Sequence, residues 1–103
     1  MENIQVFVEY KVLEEKKEEY LRKVKDLEIV LHKIGAVDFK VYEGADQPNL
    51  FVEMFQVPEM SNYQKLKRKR VLEDAQEGVF WQAINNCVEG GKDKINMWAF
   101  VRR

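Results

Sequence analysis

Several things are scarce in this chain of 103 residues. It has a single cysteine, Cys87, which excludes an intramolecular disulfide framework and fits a reducing compartment. His32 is the only histidine, so no histidine-based metal cluster is available, and no metal site is expected. There is no CxxC pair, no Gly-rich phosphate loop and no Ser/His/Asp set. No apolar run approaches the roughly 20 residues that a bilayer-spanning helix needs, so no membrane association is expected. The opening MENIQVFVEY carries acids without a basic flank and does not read as a secretory signal, which points to the cytoplasm. Neither sign of charge dominates. With 17 basic and 18 acidic residues the formal net charge is −1, and nucleic acid is not an expected partner.

What is present is an ordinary globular composition, 46% hydrophobic and 34% charged, in a length that suits one domain over residues 1–103. Residues 3–12 alternate: Ile4, Val6, Val8, Tyr10 and Val12 point one way, and Gln5, Glu9 and Lys11 mostly the other, with Phe7 among them. That is a strand. Over 14–34 the period changes. Tyr20, Val24, Leu27, Leu31 and Ile34 draw an apolar stripe along a helix, with Gly35 placed for its C-terminal left-handed turn. Residues 37–43 alternate Val37, Phe39 and Val41 against Asp38 and Lys40. After GADQPN, the segment LFVEMFQV resumes strand character, so the two runs form a hairpin closed by Pro58. Ser61 with Gln64 three positions on is a capping-box pattern for a second helical region over 61–89. Gly78 and a change of stripe predict two helical pieces there, meeting between 71 and 78. Gly90 and Gly91 stop the second piece, and INMWAFV (95–101) is the last strand.

The order β-α-β-β-α-β, with right-handed crossovers, folds as a ferredoxin-like antiparallel sheet with its helices on one face. The other face should then be polar in a monomer. It is not. Trp98 and Phe100 oppose Met97 and Val101, Phe51 and Phe55 oppose Val52 and Met54, and Phe7 opposes Val6 and Val8. Apolar side chains on both faces of three strands need a second cover, and a homodimer supplies it.

In length, element order, long charged first helix, broken second helix and apolar last strand, the chain resembles the dimeric α+β barrel superfamily, which includes antibiotic-biosynthesis-monooxygenase-like domains. The resemblance implies two sheets paired into a barrel and a ligand cavity between sheet and helices in each subunit. It also implies either a cofactor-independent oxygenase or isomerase for a small apolar or aromatic molecule, or a non-catalytic binding or sensing module. The haem-degrading branch of that superfamily uses an Asn on the first strand with a Trp and a His from the second half. Asn3 and Trp81 stand at the first two places, but Ser61 to Glu89 contains no histidine, so no haem and no other cofactor is expected.

Glu9 and Glu53 are carboxylates within apolar strands, where burial raises a pKa towards that of a general base or an ion-pair partner anchors the charge. Tyr10, Tyr42, Tyr63, Trp81 and Trp98 are either core or the walls of an aromatic pocket. Within that set, Glu9 and Tyr10 are the catalytic candidates, and Tyr42 and Trp81 the ligand-binding ones. Lys65, Lys67, Arg68, Lys69 and Arg70 form a basic run that faces several directions on a helix and reads as a solvated surface or an anion site. Cys87 lies on an apolar helix stripe and reads as a buried inert thiol, and His32 as a surface histidine.

Overall fold

A computed structural model describes residues 3–71 and 79–103. Four strands, β1 (Ile4–Lys11), β2 (Val37–Glu43), β3 (Leu50–Val57) and β4 (Asn96–Val101), form one antiparallel sheet in the order β2-β3-β1-β4. Three helices cover one face: α1 (Lys17–Lys33), α2 (Met60–Val71) and α3 (Val79–Asn85). Short 3-10 turns precede α1 at Glu14–Lys16 and β4 at Gly91–Lys94. This is the α+β, ferredoxin-like arrangement that the order of elements predicts. The segment between α2 and α3, where the helical region was expected to break, lies outside the described residues.

The helix-facing side of β1 is Ile4, Val6, Val8 and Tyr10, all buried, and the stripe Tyr20, Val24, Leu27 and Leu31 of α1 is buried with it. Gly35 ends α1 with φ +95°, a conformation in which an L side chain is strained. The start of α2 differs from the predicted capping box. The helix begins at Met60, and the Asn62 side-chain oxygen accepts from the Glu59 backbone N–H at 3.2 Å, which satisfies a helix-end donor without Ser61 and Gln64. The first strand and last helix are tied at their ends: the backbone N–H groups of Leu13 and Glu89 donate to Cys87 and Lys11 carbonyls, each at 2.8 Å.

One strand departs from simple alternation. The β2–β3 register shifts between Val37 and Lys40, and Asp38 in between has φ +56°. A bulge of this kind turns the side chains before it to the other face. Phe39 and Val41 pack on the core, but Val37, paired with Gln56, is 45% exposed.

The face away from the helices carries Gln5, Phe7 and Glu9 of β1, Val52 and Met54 of β3, Tyr42 of β2, and Trp98 and Phe100 of β4. Met97 is buried under the helices, whereas Trp98 and Phe100 are 44% and 51% exposed. Phe7 and Phe100 meet edge to face, with ring centres 5.3 Å apart. The apolar outer surface anticipated from INMWAFV is therefore there, uncovered within one chain.

Candidate functional site

Among the described residues, Glu53 and Arg70 are the charged side chains sealed beneath the helices. Glu53 on β3 occupies an inward position between Phe51 and Phe55, and it is fully buried. Arg70 on α2 lies one helical repeat beyond Tyr63 and Leu66 on that helix's buried stripe, and is also fully buried. Arg70 Nη1 donates to Glu53 Oε1 at 2.7 Å and Nη2 to Oε2 at 2.5 Å. The Tyr10 hydroxyl also donates to Glu53 Oε2. A carboxylate accepts only, so the single proton of Tyr10 is committed to it, and Tyr20, at 2.6 Å from the Tyr10 oxygen, is then the donor to Tyr10. The result is a chain of hydrogen bonds from Tyr20 through Tyr10 to Glu53, closed by Arg70.

Aromatic rings surround the guanidinium. Its carbon lies 5.0 Å from the centre of the Trp81 ring and 5.6 Å from that of Tyr10. Nε of Arg70 is buried with no hydrogen-bond partner among the described residues. Burial, reinforced by the charge on Glu53, holds the Tyr10 and Tyr20 phenols well above their ordinary range, so both are neutral at physiological pH. Burial pulls Arg70 towards its neutral form, but Glu53 outweighs it and keeps the guanidinium charged. Two desolvated charges inside a chain this small cost free energy that the pairing only offsets. The cluster is thus an expensive feature, and such features concentrate at functional sites.

The four residues singled out from sequence do not converge. Tyr10 and Trp81 lie in this interior cluster, both buried. Glu9 and Tyr42 are on the opposite sheet face, Glu9 within reach of Asn96 Nδ2 at 3.5 Å and Tyr42 51% exposed. Adjacent strand residues alternate faces, so Glu9 and Tyr10 share no cavity in one chain. Asn3 is also on the outer side, donating to Gln56 Oε1 at 3.1 Å, away from Trp81. Among the other aromatics, Tyr63 is buried and Trp98 exposed. Of the basic run, Lys65, Arg68 and Lys69 are exposed, Lys67 sits 5.9 Å from the Tyr63 ring centre, and Arg70 alone is sealed inside. Sequence reasoning passed over Arg70 as a member of that run. The signal that finds it is the spacing Tyr63–Leu66–Arg70, which places all three on one helix face.

His32 is exposed, its Nδ1 3.3 Å from the Ala36 carbonyl oxygen. Cys87 is buried beside Glu19, to which its thiol donates at 3.3 Å, and burial pushes that thiol up to about 11. No group of three or more potential metal-ligating side chains occurs among the described residues.

Solved structures share this fold along the whole chain. A conserved protein from Methanosarcina mazei is similar at 16% identity and a TM-score of 0.73, over 100% of this chain and 95% of its own. A Bordetella bronchiseptica protein named for antibiotic biosynthesis monooxygenase has 12% identity and a TM-score of 0.73, over 100% and 97%. A NIPSNAP family protein from Agrobacterium tumefaciens has 16% identity and a TM-score of 0.64, over 98% and 86%. At these identities the likeness is one of fold, the α+β ferredoxin-like arrangement described above. No curated protein matches the chain. A family model described as a transmembrane secretion effector matches residues 2–95, although no helix among the described residues is long and apolar enough to cross a membrane. By that match the chain belongs to the family described as transmembrane secretion effectors, and the matched segment is built as a sheet-and-helix unit.

Proposed function

We propose that the protein is a cytoplasmic, homodimeric enzyme, a cofactor-independent oxygenase or isomerase that acts on a small apolar or aromatic molecule. The observation that supports this is the buried hydrogen-bonded chain Tyr20–Tyr10–Glu53. Both reaction types begin with the same step, removal of a proton from a carbon next to a carbonyl or from a phenolic hydroxyl, by a positioned base. A proton delivered to the Tyr20 oxygen moves along the chain as Tyr20 passes its own proton to Tyr10, and Tyr10 passes its own to Glu53. The electron pair stays on the substrate as an enolate or phenolate, delocalised onto carbon, and Arg70 keeps the neighbourhood positively charged. An isomerase returns the proton at another carbon. An oxygenase adds dioxygen to the carbanion, reclaims the proton on the resulting peroxide and loses water to leave a carbonyl.

The neighbours named for monooxygenases lend support through fold alone. A second reading, a non-catalytic small-molecule or anion-binding module, draws on the completeness of the Glu53–Arg70 pairing, which leaves the carboxylate little spare capacity. The two part on one experiment. The protein is incubated in D₂O with a panel of enolisable aromatic ketones and hydroquinones, and proton loss is followed by NMR beside oxygen uptake. Exchange faster than in buffer, slowed at least about 100-fold by Tyr10→Phe in a folded variant, is the expected result. Saturable binding without exchange establishes the binding module, and neither binding nor exchange across the panel defeats both.

A further inference from the structure

The outer sheet face holds two hollows side by side, of opposite character. One, of about 440 Å³, is lined by Phe7, Glu9, Val52, Trp98 and Phe100, with Glu9 as its one charged group. The other, of about 610 Å³, is lined by Asn3, Gln5, Gln56, Arg102 and Arg103. Neither Glu9 nor Arg102 has an ion-pair partner among the described residues. Strand register orders this surface into rows. Glu9 is beside Asn96, Phe7 beside Trp98, and Gln5 beside Phe100, while Asn3 and Arg102 continue the face beyond the Ile4–Val101 pair. Successive rows are about 7 Å apart, two residues along a strand.

A second copy laid on this face covers its exposed aromatics most fully if the two-fold axis crosses the strands between the Phe7–Trp98 row and the Gln5–Phe100 row. Trp98 of each copy then lies over Phe100 of the other. The same operation carries the row one step out on one side, Glu9 and Asn96, onto the row one step out on the other, Asn3 and Arg102. The axis that buries the aromatics therefore also brings together, twice, charges of opposite sign that have no ion-pair partner among the described residues of one chain. Without that match, covering the face would strand Glu9 as an unpaired buried carboxylate, which proteins avoid. The other cations on this face serve less well. Lys40 is on the far strand β2, and Lys11 lies beyond Glu9 on the side away from the aromatic patch.

We propose that the occupant of this face is a second copy of the chain, docked so that Glu9 of each copy pairs with Arg102 of the other across the Trp98–Phe100 contact. This docking rests on the homodimer put forward above and specifies its register. It also gives Glu9 a place in assembly, apart from any chemistry in the interior.

The test is cross-complementation, read by native mass spectrometry and sedimentation. Glu9→Arg alone faces like charge at both contacts, as does Arg102→Glu alone, and each should dimerise at least about 10-fold more weakly than the native protein. Mixed together, the two variants restore opposite charges at both contacts, so a heterodimer should form in preference to either homodimer. Glu9→Gln, which removes charge without repulsion, should fall in between and grow less sensitive to salt. Circular dichroism establishes that each variant is folded, which is expected because both positions are at the surface of one chain. A native dimer whose two variants show no preference for each other overturns the register and leaves the homodimer standing. A native protein that is monomeric at tens of micromolar overturns both.

Discussion

Glu53 and Arg70 meet across the boundary between sheet and helix through two parallel hydrogen bonds, with neither side chain touching solvent. The geometry is the bidentate one in which guanidinium and carboxylate match best. Its free-energy balance is asymmetric, because removing one partner leaves a bare charge where water cannot follow.

Arg70→Met should therefore destabilise the fold by about 3–5 kcal/mol. Adding Glu53→Leu should return most of that loss, leaving a deficit of about 1–3 kcal/mol for the Tyr10 hydroxyl that no longer has its acceptor. Urea denaturation of both single variants and the double variant measures the coupling. Additive losses would show that the pair acts as two independent residues.

The two tyrosines should respond unequally. Tyr20→Phe removes a donor and leaves the Tyr10–Glu53 bond in place, a loss of about 1 kcal/mol. Tyr10→Phe strips Glu53 of a hydrogen bond and also leaves the Tyr20 hydroxyl buried without an acceptor, so about 2–3 kcal/mol is expected. Thermal melts at a single pH compare them, and equal effects would contradict the direction assigned to the hydrogen-bond chain.

Stability should decline on the alkaline side. The Cys87 thiol is raised from 9.0 to about 11 in the fold, mainly by burial, and the buried phenols of Tyr10 and Tyr20 move in the same direction. Between the two thiol values the unfolded chain releases its proton while the folded chain keeps it. The stabilisation is therefore complete below about pH 9 and is lost as pH rises through about 11. Denaturant midpoints taken from pH 7 to 11 should fall progressively over that window, and Cys87→Ala should flatten the earliest part of the fall. Alkylation of the native thiol at pH 8 should be slow relative to the unfolded chain.

Met97→Asp and Phe100→Asp should both do damage, by different routes. Met97 faces the helices and is nearly sealed, so a carboxylate there costs more than about 3 kcal/mol and the monomer unfolds. Phe100 is half exposed on the outer face, so its substitution should leave a folded chain and abolish the proposed homodimer. Melting and sedimentation together separate these outcomes. A Phe100→Asp protein that still dimerises natively would mean that this face is not where two copies meet.

The architecture was legible because its two periods are clean. Alternation in 3–12 and 50–57 and the stripe Tyr20–Val24–Leu27–Leu31 yield the observed elements almost residue for residue. Val37 was misplaced beside Phe39 and Val41 because a bulge at Asp38 interrupts a pattern whose composition shows no break. The capping box failed for a similar local reason, the helix starting two residues before the Ser61 register. The interior site was half visible. Glu53 stood out as an acid on an apolar strand, but its partner was concealed among five cations that composition treats alike. Only the helix period separates Arg70 from Lys69, and only the folded chain shows that the period reaches Glu53. Glu9 was chosen as an acid on an apolar strand and Tyr10 as an aromatic, and side chains one apart on a strand point to opposite faces, so the two could not share a cavity in one chain.

The bulge in β2 has a bearing on how sheets of this kind grow. β2 and β4 are the two borders of the sheet, and each offers a row of backbone groups on which another strand can pair. On β2 the ladder slips between Val37 and Lys40, with Asp38 turned into the left-handed region, so an incoming strand meets a broken template. On β4 the strand runs out into Arg102 and Arg103, where identical chains stacked edge to edge would bring like charges together. Fibril-like extension is discouraged at both margins, which leaves the flat outer side of the sheet free for the closed pairing proposed above.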